Sequence, residues 1–304
     1  MKGFLKELRV NWIMFLMILP AVGFFILFSY LPMPGIILAF KKFGYTEGIF
    51  GSPWVGLDNF MFLFRNSDLG GVLRNTVLYN VAFMILGTTT QLVMAMFLSE
   101  IPWKRYIKVT QTLMFLPYFV SFVIVGVFCY NLFGYEYGAI NTILKGFGLE
   151  PFNAYQTVWV WPFIIIFFNI WKGLGYGTLI YTASIAAIGQ EMYESADIDG
   201  ANKWQQAIYI TLPQLIPTII ILWLLNLGGI LRGQFELFYN IIGENGQLFP
   251  YTNVLDTFVF RSLTKTFDIG RSAAAGFFQS VVGFFLVILT NWLVRIYDTA
   301  YALF

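Results

Sequence analysis

The chain has 304 residues, of which 58% are hydrophobic and 11% charged, with a mean hydropathy of +0.71 and a formal net charge of +2. Soluble domains carry about a quarter charged residues, so this composition excludes a monomer solvated by water and points to a protein that crosses the bilayer several times. There is no histidine, and Cys129 is the single cysteine, which excludes histidine acid–base chemistry, a histidine or cysteine metal site and an intrachain disulfide. No basic patch exceeds a few residues, so nucleic acid is not an expected partner.

A spanning helix needs about 20 apolar residues, and six segments qualify. Lys2, Lys6 and Arg9 precede the first, Trp12 to Leu31. No small-residue cleavage site follows it, so it reads as a retained helix and not a signal peptide. Residues 44–72 form an outer loop in which Trp54 and Phe60 suit an interfacial position. The second span is expected at 73–98 and the third at 107–133. The fourth, 158–188, contains Lys172 and the run Gly173-Leu174-Gly175-Tyr176-Gly177. At ~1.5 Å per residue it overshoots a ~30 Å hydrocarbon core, so a tilted or broken helix is expected. Gly173 and Gly177 also have the spacing that packs helices closely. The fifth span is 214–231, short outer helices fill 232–272, and the sixth span is 273–296. The expected fold is an all-α bundle of six transmembrane helices in one domain over residues 1–304. Lys2, Lys6 and Arg9, then Lys104, Arg105 and Lys108, then Arg295 put both termini and the 189–213 loop on the cytoplasmic side.

Residues 194–213 read ESADIDGANKWQQAIYITLP. Helix-forming residues run to about 198, Gly200 provides a turn, and Ala201–Tyr209 is expected as a second short helix with Trp204 and Ile208 on one side. Pro213 fits the first turn of the fifth span. Glu194 and Asp197 lie three apart on one face, available to basic groups of a partner, and Ala196 and Ala201 are small enough for a groove wall to approach. An acidic solvated loop would account for the composition, but not for the register of Glu194, Ala196, Gly200, Ile210, Leu212 and Pro213. That register resembles the EAA loop of ABC importer permeases: EAA, three residues, Gly, nine residues, Ile-x-Leu-Pro, here with Ser195 for the usual Ala.

The resemblance implies a non-catalytic transport subunit of a bacterial or archaeal cytoplasmic membrane, working by alternating access. Glu194, Ser195, Ala196, Asp197, Gly200, Ala201, Ile210, Leu212 and Pro213 would couple it to two copies of a cytoplasmic ABC ATPase. The chain has no Gly-x-x-x-x-Gly-Lys-Ser/Thr phosphate loop, so ATP and Mg2+ belong to that partner and no cofactor is expected on this chain. A second homologous permease subunit and an extracellular or periplasmic solute-binding protein complete the implied assembly.

Further stretches carry the resemblance toward sugar uptake. Val55-Gly56-Leu57-Asp58-Asn59-Phe60 with Arg74-Asn75-Thr76, and Leu116-Pro117-Tyr118-Phe119-Val120-Ser121, are similar to the carbohydrate branch related to the maltose-type permeases. Leu31-Pro32-Met33-Pro34-Gly35 with Ala39-Phe40-Lys41 is similar to importers of oligosaccharides or polysaccharide fragments. On that resemblance Asn226 and Gly229 are the first candidates to meet substrate, followed by Asn131, Tyr130 and Tyr176. Polar groups within spans, among them Asn80, Thr88, Thr89, Thr90, Gln91, Asn169 and Asn226, face a cavity or bond neighbouring helices. Lys172 has no acidic residue at comparable depth, and its role is open. Two alternatives stand beside this reading: a permease for a non-sugar solute, and an ion-coupled carrier. The carrier would call for acids within the spans and repeated halves, whereas the acids here cluster in loops.

Overall fold

Hydrocarbon offers no water to backbone N–H and C=O groups, so a single crossing segment must be helical. A computed structural model describes residues 7, 9–65, 67–297 and 302; Lys2 and Lys6 lie outside them. The described residues form helices of three kinds and one isolated antiparallel bridge between Lys41 and Trp54, with no strand. Five helices are long and apolar enough to cross a membrane: Trp12–Phe40, Leu69–Ser99, Val158–Ala186, Lys203–Leu227 and Ile269–Ile296. The pair Lys104–Phe119 and Phe122–Phe133, bent by 96°, makes a sixth crossing. The all-α, six-span architecture is therefore present.

The chain divides into two compact units. The first comprises residues 1–65 and 262–278. Its helix α1 (Trp12–Phe25) is apolar all round and buries none of its residues. A π turn, Ile26–Tyr30, and a 3-10 helix, Met33–Phe40, continue it. Lys41 is buried, and its Nζ donates to the carbonyls of Ile49 (3.1 Å) and Phe50 (2.7 Å). Asn59, in helix α2 (Asp58–Arg65), donates to Ala39 O (3.0 Å) and Lys41 O (2.9 Å). Thus the turn-rich segment after the first span is fixed by side chains that answer main-chain carbonyls.

The second unit comprises 66–261 and 279–304. Helices α3 (Ser67–Ser99), α4 (Lys104–Phe119), α5 (Phe122–Phe133), α6 (Ala139–Gly146) and α7 (Trp161–Ala186) precede the 189–213 loop. The loop holds α8 (Gln190–Ile198) and α9 (Lys203–Gln206); α10 (Leu212–Leu227), α11 (Phe235–Ile242), α12 (Leu255–Thr266) and α13 (Ile269–Tyr297) follow. Tyr79 and Phe83 of α3, Val125 and Cys129 of α5, Trp161, Ile165 and Phe168 of α7, and Leu237 and Phe238 of α11 form the main buried cluster. A smaller one joins Ala95, Tyr181, Ile185 and Leu215.

Of the two expectations for the fourth span, tilted or broken, the break is not found: α7 is continuous through its glycines. Its glycines admit neighbours instead. A Cβ at Gly175 would collide with the Met114 carbonyl and lie 2.7 Å from Phe115 Cα, and one at Gly177 would collide with the Gln91 side chain. The Gly173 carbonyl accepts from Gln91 Nε2 at 3.2 Å. The close approach of α7 to α3 and α4 rests on these absent side chains.

The break falls in the third span. Val120 and Ser121 are extended between α4 and α5, and Ser121 Oγ caps the first turn of α5 by accepting from Ile124 N–H at 3.4 Å. Ending a helix inside a bilayer orphans its last carbonyls. Lys172 answers them: its Nζ donates to Tyr118 O (2.7 Å), Pro117 O (3.4 Å) and Val120 O. The ammonium also lies 4.8 Å from the Phe122 ring centroid. A cation at a helix C-terminus additionally complements the helix dipole. Lys172 therefore closes a broken span.

Replacing Lys172 by Met keeps the length of the stem and removes the donors. Unsatisfied acceptors cost about 1–3 kcal/mol in total, so Lys172→Met is expected to lower the melting temperature of the purified protein, with Lys172→Arg retaining most of it. An unchanged melting curve for the Met variant would show that other groups serve those carbonyls.

Candidate functional site

A cavity of about 290 Å³ lies where the fifth span ends. Helix α10 stops at Leu227, short of the expected 231, and Gly228 and Gly229 turn the chain. The stop is enforced by close packing on α13: a Cβ at Gly283 would collide with the Gly228 carbonyl, and one at Gly228 would lie 2.9 Å from Val287 Cγ2. The unwound backbone is then taken up by α3, whose Asn80 Nδ2 donates to Ile230 O (2.9 Å) and Arg232 O (3.1 Å).

The cavity is lined by Asn80, Thr88 and Gln91 of α3, Asn169 of α7, Asn226 of α10, and Gly229 and Gln234 beyond it. Asn169 Nδ2 donates to Gln234 Oε1 at 2.7 Å, Asn226 Nδ2 to Leu222 O at 2.9 Å, and Trp223 Nε1 to Thr88 Oγ1 at 2.9 Å. The side-chain oxygens of Asn80, Gln91, Asn169 and Asn226 accept no hydrogen bond among the described residues. No charged side chain lines the cavity. Four unused amide acceptors in a charge-free recess suit an uncharged, hydroxyl-bearing solute.

Of the five substrate candidates read from sequence, the structure brings Asn226 and Gly229 together here. Tyr176 is elsewhere, stacked on Tyr118 with ring centroids 5.3 Å apart. Tyr130 and Asn131 line a separate cavity beside residues 134–138. Asn80, Gln91 and Asn169 stood only among the polar residues of the spans. Their amide side chains were the available signal, but nothing in sequence ranked them by depth.

The 189–213 loop is a helix–turn–helix. Gly200 has φ +78°, in the left-handed region that a glycine adopts without strain. Around it Ala201 N–H donates to Ala196 O (2.9 Å) and Gly200 N–H to Asp197 O (3.2 Å). Asn202 and Gln205 form a reciprocal capping box at the start of α9. Ser195 Oγ donates back to Glu191 O at 2.9 Å.

The loop adds to one expectation and changes another. Asp197 does not only face outward: its side chain is 55% exposed, and its Oδ1 also accepts from buried Gln206 Nε2 at 2.5 Å, with Lys203 Nζ at 3.5 Å. It staples α8 to α9, nine residues on, while Tyr193 OH and Thr211 Oγ1 make a second staple at 2.9 Å. Nor is the second helix separate from the fifth span. Lys203–Leu227 is one rod of 25 residues, running through a π turn, Ala207–Thr211, in which Leu212 N–H bonds Ala207 O. Pro213 thus lies within the rod, just after a widened turn that opens the ladder where proline has no N–H to donate. Trp204 and Ile208 do share a side, lining an apolar groove with Met96, Phe97 and Leu212. Glu194 is exposed, Ile198 is 88% exposed at the tip, and Ala196, Ala201 and Ile210 are half-buried.

The comparisons with known proteins bear on this geometry. The family described as binding-protein-dependent transport system inner membrane component matches residues 92–301. The chain belongs to that family. This permease is therefore a multi-pass transport subunit and not an enzyme. It is 34% identical over 295 residues, 97% of this chain and 91% of the relative, to the polygalacturonan/rhamnogalacturonan transport system permease protein YteP of Bacillus subtilis (strain 168). It resembles, with TM-score 0.86 and 30% identity, a chain of a bacterial ABC transporter involved in the import of the acidic polysaccharide alginate, covering 97% of this chain and 99% of that one. A chain of the bacterial alginate transporter in complex with an alginate pentasaccharide-bound periplasmic protein matches with TM-score 0.84 and 30% identity, over 95% and 96% of the two chains.

Gly200 generates a test of the turn. Proline fixes φ near about −65° and has no N–H, so Gly200→Pro is expected to abolish uptake while membrane levels, followed by immunoblot, stay normal. Asparagine tolerates the left-handed region, and Gly200→Asn should retain most uptake.

Proposed function

We propose that the permease is the membrane subunit of an ATP-driven importer of carbohydrate, in oligosaccharide form, lying with both termini in the cytoplasm. The charge-free cavity of amide groups at the end of α10 carries this reading, because it offers what a hydroxyl-rich solute needs and little that an ion needs. The names of the relatives support the sugar class, as they refer to polygalacturonan, rhamnogalacturonan and alginate.

A separate ABC ATPase, in two copies, supplies ATP and Mg2+ chemistry and docks on the 189–213 loop. The exposed groups of α8, Glu191, Glu194 and Ile198, form the contact, whereas Asp197 holds the knob in shape. A second, homologous permease completes the passage, and a solute-binding protein delivers the sugar from outside. Closure of the ATPases displaces the knob. The two staples pass that motion to the Lys203–Leu227 rod, which is roughly 37 Å long at ~1.5 Å per residue. Asn226 sits at its other end, so one helix links the energy port to the cavity and inward and outward access alternate.

Co-expression with the ATPase tests the docking face. Ile198→Asp and Glu194→Lys are expected to lose ATPase co-purification and uptake, while Asp199→Asn keeps both. Full co-purification and uptake by both disrupted variants would overturn the assignment. For the cavity, the double variant Asn169→Leu, Asn226→Leu should raise the KM for sugar uptake about 30-fold, by removing two amide partners worth about 1 kcal/mol each, with ATPase docking intact.

A further inference from the structure

The second cavity is unexplained by that mechanism. It measures about 310 Å³ and is lined by Tyr130 and Asn131 from the end of α5 and by all five residues of the loop Gly134-Tyr135-Glu136-Tyr137-Gly138. We propose that it is an additional saccharide subsite, selective for neutral sugar, on the outer face of the permease. This rests on the sugar-import reading and on the orientation given above, which places the loop between the third and fourth spans outside.

The ring faces are available. Tyr137 is 90% exposed, Tyr130 65% and Tyr135 47%. Among the described residues the rings of Tyr135 and Tyr137 pack on no other aromatic ring, and Tyr130 meets only Tyr155, at 6.3 Å. A sugar has an apolar C–H face and a rim of hydroxyls. Phenol rings match the face, and the Asn131 amide, the Glu136 carboxylate and exposed main chain match the rim.

The loop is also built to hold its shape. A Cβ at Gly138 would collide with the Gly134 carbonyl and lie 2.7 Å from Gly134 N, so the turn is closed by glycine at both ends. Gly134 N–H donates to Tyr130 O (2.8 Å) and Gly138 N–H to Gly134 O (3.0 Å). Beneath, buried Asn141 donates to Tyr135 O (3.1 Å) and Phe152 O (2.9 Å) and accepts from Phe152 N–H (2.7 Å). Lys145 Nζ reaches the main-chain oxygen of Glu136 at 3.4 Å. Such fixing lowers the ordering cost of binding. A concavity of this size floored by glycine accepts a ring-sized ligand, whereas a protein partner needs a broad patch.

Glu136 sets the class of sugar. It is the one charged residue lining the cavity; its carboxylate accepts from hydroxyls and repels a uronate.

The test is saturation-transfer NMR on the complete transporter in nanodiscs, with maltotetraose, cellotetraose, mannotetraose, xylotetraose and tetragalacturonate as probes. At least one neutral tetrasaccharide is expected to bind. Its affinity should fall about ten-fold in the double variant Tyr135→Ala, Tyr137→Ala, be kept in Tyr137→Phe, and survive in part in Asn226→Leu. Glu136→Gln should admit tetragalacturonate, which the parent loop rejects. The subsite is refuted if the double tyrosine variant binds every probe normally, or if it loses only the capture of the binding protein, which would make the loop a protein dock. Signals that depend on Asn226 alone sink the subsite and spare the sugar reading. Absence of contact with any probe, in a complex that takes up another solute, sinks both.

Discussion

A helix that ends inside hydrocarbon leaves carbonyls that water cannot reach. Much of the second unit is arranged around two such ends. At the first, between Phe119 and Phe122, Lys172 supplies the donors. At the second, beyond Leu227, Asn80 reaches the carbonyls of Ile230 and Arg232. Several polar groups that look functional in a hydropathy profile are thus engaged by the backbone. The cavity exists because the fifth span is allowed to stop, and it can stop because α3 and α13 have the right groups opposite: an amide on one, a glycine on the other.

The same economy governs the 189–213 loop. Asp197, though its side chain is more than half exposed, is also engaged with its own chain through Gln206 and Lys203. What stays outward at the tip is mostly polar, Glu194 and Asp199 included, with Ile198 a single exposed apolar residue among them. Internal staples tie the two helices of the loop to each other and to the start of the rod.

The six crossings were legible because apolar length is a property of sequence, and the loop motif was legible because Gly200, Ile210, Leu212 and Pro213 fall at fixed offsets. The site of the break was not. Three glycines in a row of five residues look like a break and serve as contact points, since what distinguishes the two is the neighbour that fills the missing side-chain space. Pro117 and Lys172 were both visible, but their relation, an interrupted helix and its donor, spans 55 residues. Likewise Asn226 and Tyr130 are equally polar on paper. Only the fold shows that one lines the cavity at the end of α10 and the other lines a second recess beside the 134–138 loop.

The π turn at Ala207–Thr211 reads as a local accommodation of Pro213, but it also sets a phase. Each residue of an α-helix turns the chain by about 100°, and the widened turn lets one extra residue be absorbed without advancing the helix by a full step. The face that Lys203 and Gln206 turn to the knob and the face that Asn226 turns to the cavity are therefore matched by this one irregularity. In the register of screws and not of levers, the rod has a cut thread: shorten or lengthen it by a single residue there and the loop at one end would keep its shape, with the face that carries Asn226 pointing elsewhere.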